Sequence, residues 1–131
     1  LDNMILKNNK VIGILDWELS TLGHPIADFS YHCLSWRTQE AFWDQAKLKE
    51  LGIPSEREYM EMYCENSGKD LSKNWEFYMA FNMFKIAGIL QGILGRVRDG
   101  TAASKHAEER GKLVYPLSAA AWSTIEENFL K

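Results

Sequence analysis

Cysteine is scarce in this chain: two residues, Cys33 and Cys64, stand among 131. No Cys-x-x-Cys or Cys/His spacing surrounds either one, so they do not make a zinc site alone. In a domain of this size they read as buried free thiols of a reducing, intracellular compartment, cytoplasmic or, in a eukaryote, mitochondrial or peroxisomal. A basic excess is also missing. Fifteen Lys and Arg against eighteen Asp and Glu give a net charge of -3, a balance that argues against the basic face or stripe that nucleic acid requires. No basic segment followed by an apolar run marks a secretory signal. The most apolar stretch, Phe77 to Leu94, is broken by Asn82, Lys85 and Gln91, which counts against a transmembrane segment. Repeats, low-complexity tracts and Gly/Ser linkers are absent. What is present is apolar material, 46% of residues, enough for one core and thin for two.

The chain opens on Leu1 and runs almost at once into a strand pattern, as expected of a piece that starts inside a domain. Met4 to Lys7 and Val11 to Leu15 are short apolar runs around Asn8-Asn9. Asparagine tolerates positive φ, so the pair reads as a β-hairpin with the second strand the more buried. From Pro25 the period becomes helical, with Ile26, Phe29, Cys33 and Trp36 on one face. A helix over about 40–51 stops at Gly52. Another starts at Ser55, with Glu58 completing a capping-box pattern and Tyr59, Met62 and Tyr63 on its apolar face, and ends at Gly68. Asn74 or Ser72 caps the longest helix, which reaches about Gly95. It is apolar on most sides and is expected at the centre of a bundle, packed all round. A last helix, from about Lys105 toward Phe129, breaks or kinks near Pro116. The class is α+β, mostly α: a hairpin, then helices.

Asp16 stands at the end of an apolar strand, where a carboxylate needs a partner, a metal or a capping role. Pairing across the Asn turn sets Lys7 against Lys10 and Met4 against Gly13. By extension Asn3 falls beside Ile14 and close to Asp16. An amide oxygen and a carboxylate converging at one end of a hairpin form a hard-cation arrangement that suits Mg2+.

The segment from Asn3 to Asp16-Trp17-Glu18, followed by Gly23-His24-Pro25-x-x-Asp28, resembles the aminoglycoside phosphotransferase and choline kinase-like superfamily, which has a protein-kinase-like fold. Leu1-Asp2-Asn3 looks like the tail of that family's catalytic loop, and Ile14-Leu15-Asp16-Trp17-Glu18 like its metal-binding motif. The run Leu15 to Pro25, with Asn74-Trp75-x-Phe77-Tyr78 and Phe84-Lys85-x-Ala87-Gly88-Ile89-x-Gln91-Gly92, is most similar to the phosphotransferase-like domains associated with acyl-CoA dehydrogenases.

The resemblance implies the C-terminal lobe of an ATP- and Mg2+-dependent kinase that phosphorylates a small-molecule hydroxyl, with a hydroxyacyl-CoA or related hydroxy acid as the acceptor class. Residues 1–36 would hold the metal-binding hairpin, loop and following helix, and residues 37–131 the helical subdomain. Asn3 and Asp16 take the metal-binding roles, and Asp28 steadies the catalytic loop. The family's catalytic Asp would lie three residues before Leu1. Asp2 does not match it, and the N-terminal lobe is also missing, so the chain alone is expected to be inactive. An acyl-CoA dehydrogenase domain or partner, and self-association of the uncovered piece, are further expectations. A non-catalytic helical binding module and a pseudokinase remain the alternatives.

Trp17 and Glu18 adjoin the metal position and are substrate-binding candidates, against packing for Trp17 and plain solvent exposure for Glu18. Lys85 and Gln91 are also candidates, on the helix that would line the acceptor pocket, against snorkelling side chains. By spacing, His24 and His32 are not metal ligands, and His106 is expected to be exposed. The mixed charges from Lys105 to Lys112 read as a solvated helix face.

Overall fold

A computed structural model describes residues 3–18, 20–38, 45–71 and 73–131. Among the described residues two antiparallel strands, β1 (Met4–Lys7) and β2 (Lys10–Ile14), precede six helices. These are α1 (Pro25–Arg37), α2 (Gln45–Glu50), α3 (Glu56–Ser67), α4 (Trp75–Arg98), α5 (Ala107–Lys112) and α6 (Val114–Phe129). The class is therefore α+β and mostly α. The first part of the helix expected over 40–51, and Ser72, lie outside the described residues.

Asn8 and Asn9 carry φ of 51° and 58°, the pair of positive values that a tight hairpin turn with the strands' own twist requires. The register departs from the simple count. Lys7 faces Lys10 and Leu6 faces Val11, but Ile5 faces Gly13 and Met4 faces Ile14. One extra residue on β2, Ile12, is a bulge, and it slides every earlier pairing by one. The expected burial of β2 is also overturned: Val11, Ile12 and Ile14 are all more than half exposed, because no second layer covers the hairpin among the described residues.

α1 starts with Pro25 at its first position, where the missing N–H would be unpaired anyway. His24 caps it, its Nδ1 accepting from the Ile26 N–H at 3.3 Å. Ile26, Phe29, Cys33 and Leu34 face the core, with Trp36 packed at its margin. α3 carries the full capping box between Ser55 and Glu58 and ends at Gly68 in the left-handed conformation. Its inward face is Tyr59, Met60, Tyr63 and Cys64; the expected Met62 is half exposed instead.

α4 is the central helix, packed against α1, α5 and α6. Trp75, Met79, Met83 and Ala87 point into the core. Asn82 is buried there too, its Nδ2 donating to the Ala27 carbonyl and the Ser30 hydroxyl, each at 2.8 Å, so this buried polar side chain is satisfied. The helix is not packed all round. Phe77, Phe81 and Phe84 lie along one outward stripe, each about half exposed, because the helices beside α4 cover only its other sides. Among the described residues α4 alone has the length and composition to cross a bilayer, with a mean hydropathy of 1.3. The core-facing Trp75, Met79, Met83 and Ala87 account for that apolarity on the covered side.

The expected break in the last helix falls at Leu113, between α5 and α6. Pro116 sits in the first turn of α6, and its ring would clash with the carbonyl four residues back, at Lys112, where α5 ends.

Candidate functional site

The bulge at Ile12 decides what meets at the hairpin's open end. With the register slid by one, the Leu15 N–H donates to the Asn3 carbonyl at 2.8 Å. Asn3 thus lies opposite Leu15 rather than Ile14, one residue nearer to Asp16 than expected. Its Nδ2 donates to Asp16 Oδ2 at 3.0 Å. Asp16 holds φ of +66°, a left-handed backbone that disfavours any residue with a Cβ. Both side chains are exposed.

The pair suits a divalent cation only in part by itself. Asn3 Oδ1 and the second carboxylate oxygen of Asp16 make no other hydrogen bond among the described residues, so one neutral and one anionic oxygen are available. No cluster of three His, Cys, Asp or Glu occurs among those residues, so a closed metal cage is not what they form. Mg2+ is commonly held by one or two carboxylates with substrate phosphates and waters completing the shell, and this donor set fits that kind of site.

Trp17 and Glu18 follow directly and are exposed. The Trp17 indole N–H donates to the Ile14 carbonyl at 2.7 Å. Asp28, in the first turn of α1, lines a cleft of about 680 Å3 with Met4, His32, Tyr59 and Tyr63, so it stands toward the same end of the hairpin as Asn3. Burial pulls the His32 imidazole below its ordinary pKa, and the Asp28 carboxylate works against that.

Lys85 and Gln91 are exposed on α4. The Lys85 ammonium lies 5.1 Å from the Tyr31 ring centre, a cation–π contact within the fold. Six residues along a helix turn Gln91 about 120° away from Lys85, so the two do not converge on one pocket.

One cluster carried no signal in the sequence. Arg37 bridges Glu56 at 2.6 Å and Glu76 at 2.9 Å, and the buried Trp75 Nε1 donates to Glu56 at 3.0 Å. Burial opposes the charge on Arg37, yet the two carboxylates outweigh it and hold the guanidinium above its ordinary value. This network ties α1, α3 and α4 together. Beside it, burial and the Glu56 charge push the Cys33 thiol up to about 12, so Cys33 is a core residue and not a nucleophile.

Residues 1–63 match the phosphotransferase enzyme family. The chain is 43% identical to acyl-CoA dehydrogenase family member 10 of Mus musculus over 93% of its length, which is 12% of that protein. It is 35% identical to acyl-CoA dehydrogenase family member 11 of Homo sapiens over 98% of its length, 17% of that protein. A probable acyl-CoA dehydrogenase of Arabidopsis thaliana, IBR3, is 35% identical over 99% of the chain and 17% of its own length. The chain thus spans less than a fifth of these relatives. No solved structure matches it.

Proposed function

We propose, from the match of residues 1–63 to the phosphotransferase enzyme family, that the chain is part of an ATP- and Mg2+-dependent kinase acting on a small-molecule hydroxyl. The observation that carries this reading is the Asn3–Asp16 pair, held at 3.0 Å at the open end of the hairpin. Asn3 offers a neutral oxygen and Asp16 an anionic one, and the hydrogen bond between them fixes their relative position. An Mg2+ ion arriving with ATP would neutralise the β- and γ-phosphate charge that grows during transfer.

In this reading residues 1–36 hold the metal end of a kinase-like C-terminal lobe and residues 37–131 its helical, acceptor-facing side. Asp28, on the same side as Met4, would brace the loop that carries Asn3. The names of the relatives, acyl-CoA dehydrogenases, support a hydroxyacyl-CoA or related hydroxy acid as the acceptor class, and a dehydrogenase domain or partner beside this one.

The test is ATP binding and hydroxyacyl-CoA phosphorylation by the full-length protein, with Asp16→Ala alongside. The expected result is Mg2+-dependent turnover that falls by at least about a hundredfold in the variant. Mg2+-dependent ATP binding without turnover points to a different acceptor or a pseudokinase. Absence of nucleotide binding overturns the reading in favour of a non-catalytic helical module.

A further inference from the structure

The turn after β2 is braced more heavily than its exposure calls for. Asp16 adopts φ of +66°, and a non-glycine residue keeps such a backbone only where its neighbours over-determine it. Trp17 supplies bonds on both sides. Its indole N–H reaches back to the Ile14 carbonyl at 2.7 Å, closing a ring around Leu15 and Asp16. Its own carbonyl accepts from the Ser20 N–H at 2.9 Å and from the Ser20 hydroxyl at 2.7 Å. Across the hairpin the Leu15 N–H is tied to Asn3. Asp16 is thus suspended between fixed points, with its carboxylate delivered to Asn3 Nδ2.

The indole of Trp17 is 63% exposed as a residue, which by itself would suggest a surface for ligand. Its only hydrogen-bond donor, however, is already used within the turn. We propose that Trp17 is a positioning residue for the Asn3–Asp16 pair: its N–H holds the strained backbone that aims the Asp16 carboxylate. The proposal rests on reading that pair as the magnesium–nucleotide end of a phosphotransferase.

The experiment is calorimetric titration of ATP into the full-length protein at a series of Mg2+ concentrations and in EDTA, for wild type, Asp16→Ala and Trp17→Phe. Phenylalanine keeps an aromatic ring and removes the N–H. Trp17→Phe is expected to need about fivefold more Mg2+ for half-maximal ATP binding, the worth of one lost neutral hydrogen bond. Its ATP affinity in EDTA stays at the wild-type value, and saturating Mg2+ restores binding. A general loss of structure would lower both affinities together and overturns the proposal. A Trp17→Phe protein with wild-type Mg2+ dependence, beside an Asp16→Ala protein that has lost it, overturns the positioning role alone. An Asp16→Ala protein with unchanged Mg2+ dependence overturns the magnesium reading and this inference with it. Should Trp17→Phe fail to fold, benzothienylalanine at position 17 keeps the shape, exchanges the N–H for sulphur, and is read against the same outcomes.

Discussion

At the scale of single residues, the most closely packed glycine lies on α5, outside the candidate site. Gly111 packs so closely on α4 that an added Cβ would sit 2.5 Å from Leu94 Cδ2 and 2.6 Å from its Cγ, with the Leu94 backbone nitrogen at 3.4 Å. The branch point of Leu94 cannot swing clear as a side-chain tip would. Gly111→Ala is therefore expected to cost about 1–3 kcal/mol through overpacking, read as a lower urea midpoint with an unchanged slope. Nothing in the sequence marked Gly111. Asn3 and Asp16, in contrast, were legible as neighbours from the hairpin count. The count missed the bulge at Ile12, because a single extra residue leaves no compositional trace. That bulge sets Asn3 opposite Leu15, where a plain ladder would have set it against Ile14.

At the scale of elements, local signals were read well where the interaction itself is local. The Ser55–Glu58 box is such a case: the Glu58 N–H reaches Ser55 Oγ at 3.3 Å and Glu58 Oε2 accepts from the Ser55 N–H at 2.8 Å. Hydrogen bonds from the Ser55 hydroxyl and then its backbone hold the Glu58 carboxyl below the usual carboxylate range. A carboxylate with a depressed folded-state pKa stabilises the fold above the usual carboxylate pKa, and that contribution is lost as pH falls through the folded value. Ser55→Ala is expected to cost about 1 kcal/mol at neutral pH. The gap from wild type should narrow in acid, which denaturation at pH 7 and pH 3 would show. Helix faces were less legible. α3 turns Met60 and Cys64 inward and leaves Met62 out, since which side of a helix is inside depends on where its neighbours lie.

At the scale of the whole molecule, the described residues form one helical core built on α4, with two apolar surfaces left uncovered. One is the hairpin, where Leu6, Val11, Ile12 and Ile14 are all more than half exposed; the other is the Phe77–Phe81–Phe84 stripe. Exposed strand edges and contiguous apolar patches promote association. The isolated 131-residue chain is accordingly expected to self-associate, with a weight-average mass that rises with concentration in sedimentation velocity. Ile12→Lys should reduce that rise. A chain that stays monomeric throughout would show the hairpin to be harmless in solution.

The sequence by itself determined the order of elements, the tight turn at Asn8-Asn9, the helix starts at Pro25 and Ser55, the break before Pro116, and the approach of Asn3 to Asp16 at the hairpin's open end. Each of these is written within a few neighbouring positions, by backbone preference, capping or period. The tertiary structure alone decided the bulged register that joins Asn3 to Asp16, the indole bond bracing that turn, the Arg37 bridge across three helices and the uncovered side of α4. Those depend on what lies opposite in space, and the partners of Arg37, Glu56 and Glu76, stand 19 and 39 residues along the chain.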